Sequence, residues 1–410
     1  MNTIIRYLML LVFLAHTVLL SQIKTGAETF MRYPRKYLNE KSVAVVTNHT
    51  GLLPNGEHIV DSLVRVKTVS VKALFAPEHG IRGNAPAGSK IQNSIDSLTG
   101  IPVYSLYGNT LKPTKEMLEG IDVVVFDMQD VGARFYTYIS TMFYVMQACA
   151  EQNKKLYVLD RPNPLGGEYI AGPIIKKELE SFVGIAPIPI AHGMTIGELA
   201  MMFNDGLLPN GLKANLEVIP MSGWKRSMMF EQTGLKWIPP SPNLPHTESA
   251  YIYPGTCFLE GTNISEGRGT ESPFLTFGAP FINTVDLLAL LKEYGTPGIT
   301  FEEVEFTPQD IPGKASNPKF KGKKCFGLKA SVKNPSVSNP VYFGAKLILA
   351  LYKLYPDKFK FKDLTFDRLW GDKLIRQMMI AGKVPVDIRN YWQEDFNKFK
   401  EQRKKYLLYQ

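Results

Sequence analysis

Cysteine is nearly absent: 410 residues contain three, Cys149, Cys257 and Cys325. Three thiols build no disulfide framework and close at most one bridge, so stability must come from packing. Cys149 falls in an apolar helical pattern, where a thiol acts as a small hydrophobe. Neither CxxC nor HExxH occurs, so the strong zinc signatures are missing, and no metal or cofactor is expected. The glycine motifs that cradle nucleotides, GxGxxG and GxxxxGK[ST], are also missing, as is the GxSxG elbow of serine hydrolases. There is no internal repeat and no low-complexity segment.

Long apolar runs are scarce too. The run from Tyr7 to Leu20, preceded by Arg6 and interrupted by His16 and Thr17, is short for a membrane span and right for a signal-peptide core. Cleavage after Ser21 or Ala27 fits the small-residue rule. A signal peptide of residues 1–27 would take Arg6 and Lys24 with it and lower the net charge from +9 to +7. No cysteine follows the run, which argues against a lipid anchor. The expected product is exported, periplasmic or secreted, with no stable membrane insertion after cleavage. Lysines concentrate late, in Lys319–Lys324 and Asp357–Lys362, but no nucleic-acid motif accompanies them. An anionic polymer or simple solubility accounts for them better than nucleic acid does.

What is present is an ordinary globular composition, 45% hydrophobic and 21% charged. The organising stretch is Val71–Gly83, VKALFAPEHGIRG. Val71 to Phe75 reads as a buried strand, Pro77 ends it, and Glu78–His79 follow at once with Gly80 and Gly83 freeing the backbone. Other segments end in the same way. Val43–Thr47 runs into Asn48-His49, Pro102–Leu106 into Tyr107-Gly108-Asn109, Val123–Asp127 into Met128-Gln129, and Leu156–Leu159 into Asp160-Arg161. Ile185–Ile190, weakened by Pro187 and Pro189, ends at Ala191-His192, and Leu216–Met221 closes the series. Helical segments intervene: a short one from Pro113 to Leu118, Tyr136–Ala150, and one opened by the capping box of Thr195 and Glu198. Strands alternating with helices imply right-handed crossovers, so the fold class is α/β with a mainly parallel sheet. Pro239 to Pro245 marks a break between residues 28–247 and 248–410. Beyond it, a Gly/Thr/Ser-rich loop over 255–280 carries Glu260, Glu266, Arg268 and Glu271. A helix over Thr284–Tyr294, strands near Val304–Phe306 and Gly327–Val332, a helix over Val341–Tyr355 and a helical end follow.

The strand ends of a parallel sheet lie along one edge, where α/β proteins build their sites. Their carboxylates and amides suit sugar hydroxyls, and Arg82, Arg134 or Arg161 suits an anionic substituent. His49, Glu78, His79, Asp127 and His192 could also gather round a cation, though without metal-ligand spacing. With nucleotide and serine chemistry set aside, acid/base work by carboxylates remains, as in glycoside hydrolysis.

Four motifs, FAPEHGIRG at 75–83, VVFDMQDVGARFYTY at 124–138, LDRPNPLGG at 159–167 and FDRLWGD at 366–372, resemble the exo-β-N-acetylmuramidases of glycoside hydrolase family 171. The resemblance covers nearly all of the chain after the leader. It implies a Rossmann-like domain with helices on both faces of a mainly parallel sheet, joined to a smaller α/β C-terminal domain. It also implies release of N-acetylmuramic acid from the non-reducing end of peptidoglycan fragments. Within it Glu78 matches the glutamate of the PEHG motif, the expected general acid, and His79 would orient it or bind sugar. Glu168 resembles the second family carboxylate, with Asp127 and Asp160 as competitors. Arg82, Arg134 and Arg161 are expected to meet the lactyl carboxylate, and Asn48, Gln129, Tyr136 and His192 complete the expected sugar-binding set. A non-catalytic cell-wall binding protein using the same edge, or a metal-dependent hydrolase, are the alternative readings.

Overall fold

The computed structural model describes residues 23–83 and 92–410, so most of the expected signal peptide lies outside the described residues. Residues 23–27, however, belong to the fold. Lys24 bridges to Ser222, Thr25 accepts the Glu28 N–H as N-cap of helix α1 (Gly26–Arg32), and Ala27 is fully buried in that helix. A cut after Ala27 would strip a buried helix start, whereas one after Ser21 spares it.

Helix α2 (Pro34–Leu38) leads into β1 (Lys41–Thr47), α3 (Ile59–Val64) and β2 (Val69–Ala76). Then come β3 (Ser94–Ile95), β4 (Pro102–Ser105), β5 (Val123–Asp127), α4 (Tyr138–Glu151), β6 (Lys155–Leu159), α5 (Ile196–Asn204) and β7 (Asn215–Ile219). The sheet order is β3-β4-β2-β1-β5-β6-β7, parallel throughout except for the short β3, which lies antiparallel on β4. Without β3, the parallel strands follow the doubly wound order, and its direction reverses between β1 and β5. The central strands β1, β5 and β6 and the second half of β2 are buried on both faces, which explains their unbroken apolar runs. In β1, Val43 and Val45 pack with α1 and α3, while Ala44 and Val46 pack with α4 and α5.

The second domain starts with α6 (Thr247–Thr256) and holds an antiparallel sheet ordered β8-β10-β9, from β8 (Thr276–Ala279), β9 (Ile299–Phe306) and β10 (Cys325–Val332). Helices α7 (Thr284–Tyr294) and α8 (Pro340–Leu354) pack on it. The chain then ends in α9 (Asp363–Trp370), α10 (Lys373–Ile380), α11 (Pro385–Tyr391) and α12 (Gln393–Gln402). The apolar core on the α4/α5 face continues without a break into this domain, where Phe258 stacks on Trp370 at 3.9 Å. Helices α6 and α8 cross closely enough that a Cβ on Gly255 would lie 1.9 Å from the Pro340 carbonyl oxygen.

Three expectations change. Pro113–Leu118 forms only a single 3₁₀ turn, Glu116–Leu118. Ile185–Ile190 is not a strand, because Pro187 and Pro189 have no N–H to give a ladder; isolated bridges tie Ala191 to Ala133 and Ala171 instead. The loop expected over 255–280 starts later, because helix α6 runs to Thr256 with Pro254 and Gly255 inside it, buried against α8. The three cysteines are free and buried.

Candidate active site

At the carboxyl end of β2 the chain turns sharply. His79, Gly80 and Gly83 have φ of +74°, +77° and +77°. A non-glycine residue in the left-handed region costs on the order of 1–3 kcal/mol and persists only where its surroundings enforce it, commonly at functional sites. Here His79 is buried, and a Cβ on Gly83 would lie 2.5 Å from the His49 ring, so the turn closes directly on the end of β1.

The turn leaves Glu78 half-buried in a cleft between the two domains. His79, Tyr136 and Thr137 line it from the first domain, Ser241 and Leu244 from the proline-rich connection, and Tyr253, Arg268 and Phe274 from the second. Thr137 Oγ1 donates to Glu78 Oε2 at 3.3 Å. The Tyr107 hydroxyl hydrogen-bonds to the Glu78 carboxylate; burial, then the charge of Glu78, pushes the Tyr107 phenol above its ordinary range. Tyr136 stands edge-on to Tyr138 and Tyr253 at 4.8 and 6.0 Å, an aromatic wall of the kind that packs on sugar rings. The connection is pinned across the sheet edge by two bonds to its carbonyls: Pro239 O lies 2.7 Å from His49 Nε2, and Pro240 O accepts from Tyr138 OH at 2.7 Å. Burial lowers the His49 and His58 pKa values, so both rings stay neutral near pH 7.

Of the residues expected at the site, Glu78, His79 and Tyr136 share this cleft. The others have different surroundings. Arg82 makes four N–H···O bonds to Asp61 and Asp96. Arg161 grips the fully buried Asp127, with Nε 2.6 Å from Oδ1 and Nη2 2.9 Å from Oδ2. Arg134 is fully buried and donates to the carbonyls of Pro173, Ile188 and Leu369 at 2.8, 3.0 and 2.9 Å. Asp160 accepts from Thr195 Oγ1 and Gly197 N at 2.7 and 2.8 Å, organising the start of α5. Asn48 Oδ1 closes a local turn onto Thr50, the Gln129 amide donates to the carbonyls of Asp130 and Pro162, and His192 Nδ1 accepts the Met194 N–H. Glu168 is exposed and lines a separate cavity of about 270 Å³ with Tyr169, Arg226 and Pro340. Arg82, Arg134, Arg161 and Glu168 therefore do not line the cleft of Glu78. Among the described residues no group of three His, Cys, Asp or Glu side chains comes together as a metal cage.

The cleft residues that sequence reasoning left out of the site include Thr137, Tyr253, Phe274 and Arg268. The signal for Arg268 was its setting, Gly267-Arg268-Gly269, inside the loop already marked as structured. Both glycines are left-handed, with φ of +81° and +80°, and a Cβ on either would meet a carbonyl oxygen, Thr276 O at 2.3 Å or Gln309 O at 2.5 Å. Arg268 donates from Nε and Nη2 to Glu260 Oε1 at 3.1 and 2.7 Å and lies over the Phe274 ring at 5.1 Å. Lys319 fastens the loop from behind, donating to Leu259 O, Ile264 O and Glu266 at 2.6, 2.9 and 2.9 Å.

A carboxylate held beside a strained histidine at the edge of a doubly wound sheet, in a cleft that a second domain closes, defines a two-domain α/β enzyme. Comparison with known proteins makes this specific: the chain belongs to the exo-β-N-acetylmuramidase NamZ family, whose N-terminal profile matches residues 43–248 and whose C-terminal profile matches residues 251–409. It is 44% identical over 389 residues to the peptidoglycan β-N-acetylmuramidase NamZ of Bacillus subtilis strain 168, covering 95% of this chain and 92% of the relative. Two DUF1343-family crystal structures from Bacteroides fragilis share the fold. Their TM-scores are 0.86 and 0.78 at 37% and 39% identity, each covering 95% of this chain and 99% of the other.

Proposed function

We propose that this protein is an exo-acting glycoside hydrolase that releases N-acetylmuramic acid from the non-reducing end of peptidoglycan fragments, with Glu78 as general acid. The observation that carries the assignment of the acid is the β2 turn. It spends backbone strain at His79 to place one carboxyl group in the interdomain cleft, within hydrogen-bond reach of Thr137 and Tyr107. The similarity to a peptidoglycan β-N-acetylmuramidase supports the substrate. In the reaction the Glu78 proton passes to the glycosidic oxygen as the bond from that oxygen to the anomeric carbon breaks. The aglycone leaves as an alcohol, water supplies the new hydroxyl of the released sugar, and the proton that water gives up restores the Glu78 carboxylic acid. The Thr137 hydroxyl and the Tyr107 phenol hold the carboxyl group in line. An exported location, with a leader ending at Ser21, fits both a wall-derived substrate and the buried start of α1.

The test is release of free N-acetylmuramic acid from a MurNAc–GlcNAc disaccharide by wild type and Glu78→Gln. Glutamine keeps the shape and removes the transferable proton, so kcat should fall by about 10²–10⁴-fold with the unfolding midpoint unchanged. An equally active variant would move the acid to another residue, and binding without sugar release by wild type would make the protein a muropeptide receptor.

A further inference from the structure

An enzyme that accepts N-acetylmuramic acid and refuses N-acetylglucosamine must read the lactyl ether, whose distinguishing group is a carboxylate. Arg82, Arg134 and Arg161 are committed to Asp61 and Asp96, to three backbone carbonyls, and to Asp127 and the Leu52 carbonyl. The guanidinium that does line the Glu78 cleft is that of Arg268. Nε and Nη2 donate to Glu260 Oε1, and Nε also pairs with Glu266 Oε1 at 3.6 Å, while Nη1 has no hydrogen bond among the described residues. The side chain is about a quarter exposed and lines the cleft.

We propose that Arg268 reads the lactyl carboxylate of N-acetylmuramic acid in the cleft beside Glu78, with Glu260 as the positioning residue that aims its guanidinium. This rests on the activity proposed above. Two left-handed glycines and the Phe274 ring fix where Arg268 stands before substrate arrives, so little side-chain entropy is lost on binding. The loop's charges also balance. Glu260 and Glu266 are offset by Arg268 and Lys319. An arginine fork, unlike a lysine, takes a carboxylate through two parallel N–H bonds and fixes the ring's orientation as well as its presence.

The experiment compares kcat/KM for three aryl β-glycosides: N-acetylmuramic acid, its lactyl carboxamide and N-acetylglucosamine. Wild type should prefer the acid over the carboxamide by roughly 10- to 100-fold, the scale of a hydrogen bond to a charged group. Arg268→Gln should lose most of that preference, with the rate on the acid falling and the rate on the carboxamide nearly unchanged; Arg268→Lys should keep part of it. Wild type that treats acid and carboxamide alike overturns the proposal without any variant. So does an Arg268→Gln enzyme that loses both substrates in equal proportion, since that pattern marks a structural prop. Wild type that cleaves none of the three overturns the activity itself, and the assignment with it.

Discussion

Arg134 shows how a single side chain can hold two domains without an ion pair. Burial alone pushes its pKa down to about 9, and no carboxylate is there to raise it again. Its three acceptors belong to distant segments, and Leu369 lies in the second domain. Arg134→Met should therefore destabilise the protein by about 3 kcal/mol or more, since each buried carbonyl left without a donor costs about 1–3 kcal/mol. Urea unfolding would measure this, and kcat of the folded enzyme should stay the same. A loss of kcat with unchanged stability would instead put Arg134 on the substrate. Asp130 makes a second case. It is buried, burial raises its pKa to about 7, backbone N–H groups such as Gly132 N, 2.7 Å from Oδ2, stabilise its charge, and His192 Nε2 stands 3.9 Å from the same oxygen. The folded state therefore binds a proton that the unfolded state has released above about pH 4. This contribution is present in acid and is lost as pH rises through about 4 to 7, at up to about 1.4 kcal/mol per pH unit. The lowered pKa of His192, about 3, acts in the opposite direction, so the clean observable is a difference. Asp130→Asn should gain stability relative to wild type between pH 4 and pH 7; a constant difference across that range would refute the assignment. What was legible at this scale was which residues carry chemistry. Glu78 and His79 could be found because Pro77 and two glycines announce a turn, whereas no local signal shows that Asp61 and Asp96 occupy Arg82.

The central strands were the most readable elements, because burial on both faces writes an unbroken apolar run into them. The capping box of α5 was equally plain, with Thr195 and Glu198 exchanging both bonds as their spacing implies. Helix α6 was not. Its Pro254 and Gly255 are unfavourable in an isolated helix, and they are accommodated because α8 approaches to backbone contact there. Gly344 is the partner surface, where a Cβ would lie 2.5 Å from Gly255 O. Gly344→Ala should improve intrinsic helix propensity yet lower stability by about 1–3 kcal/mol through overpacking. Thermal unfolding decides between the two effects, and a rise in melting temperature would mean the crossing can relax.

The whole molecule is held as one unit by its last residues as well as by its shared core. Arg403 donates to the carbonyls of Gly167, His192 and Gly193, Leu408 N donates to Glu198, and Tyr409 OH reaches Asp160. The end of the second domain thus caps the strand ends and helix start of the first. We expect a single calorimetric unfolding transition for the full chain. Deletion of residues 403–410 should lower its midpoint and should reduce activity through the cleft, because both walls lose their fixed relation. Two separate transitions would show that the domains fold independently. By itself the amino-acid sequence determined the α/β class, the central parallel strands, the turn that presents Glu78, and the family. Those features follow from local hydrophobic pattern, turn chemistry and contiguous motifs. Only the tertiary structure decided which charged groups remain available to a ligand. Where a guanidinium ends up depends on partners and packing far away in the chain, and the fold brings Arg268 rather than Arg82, Arg134 or Arg161 to the cleft of Glu78.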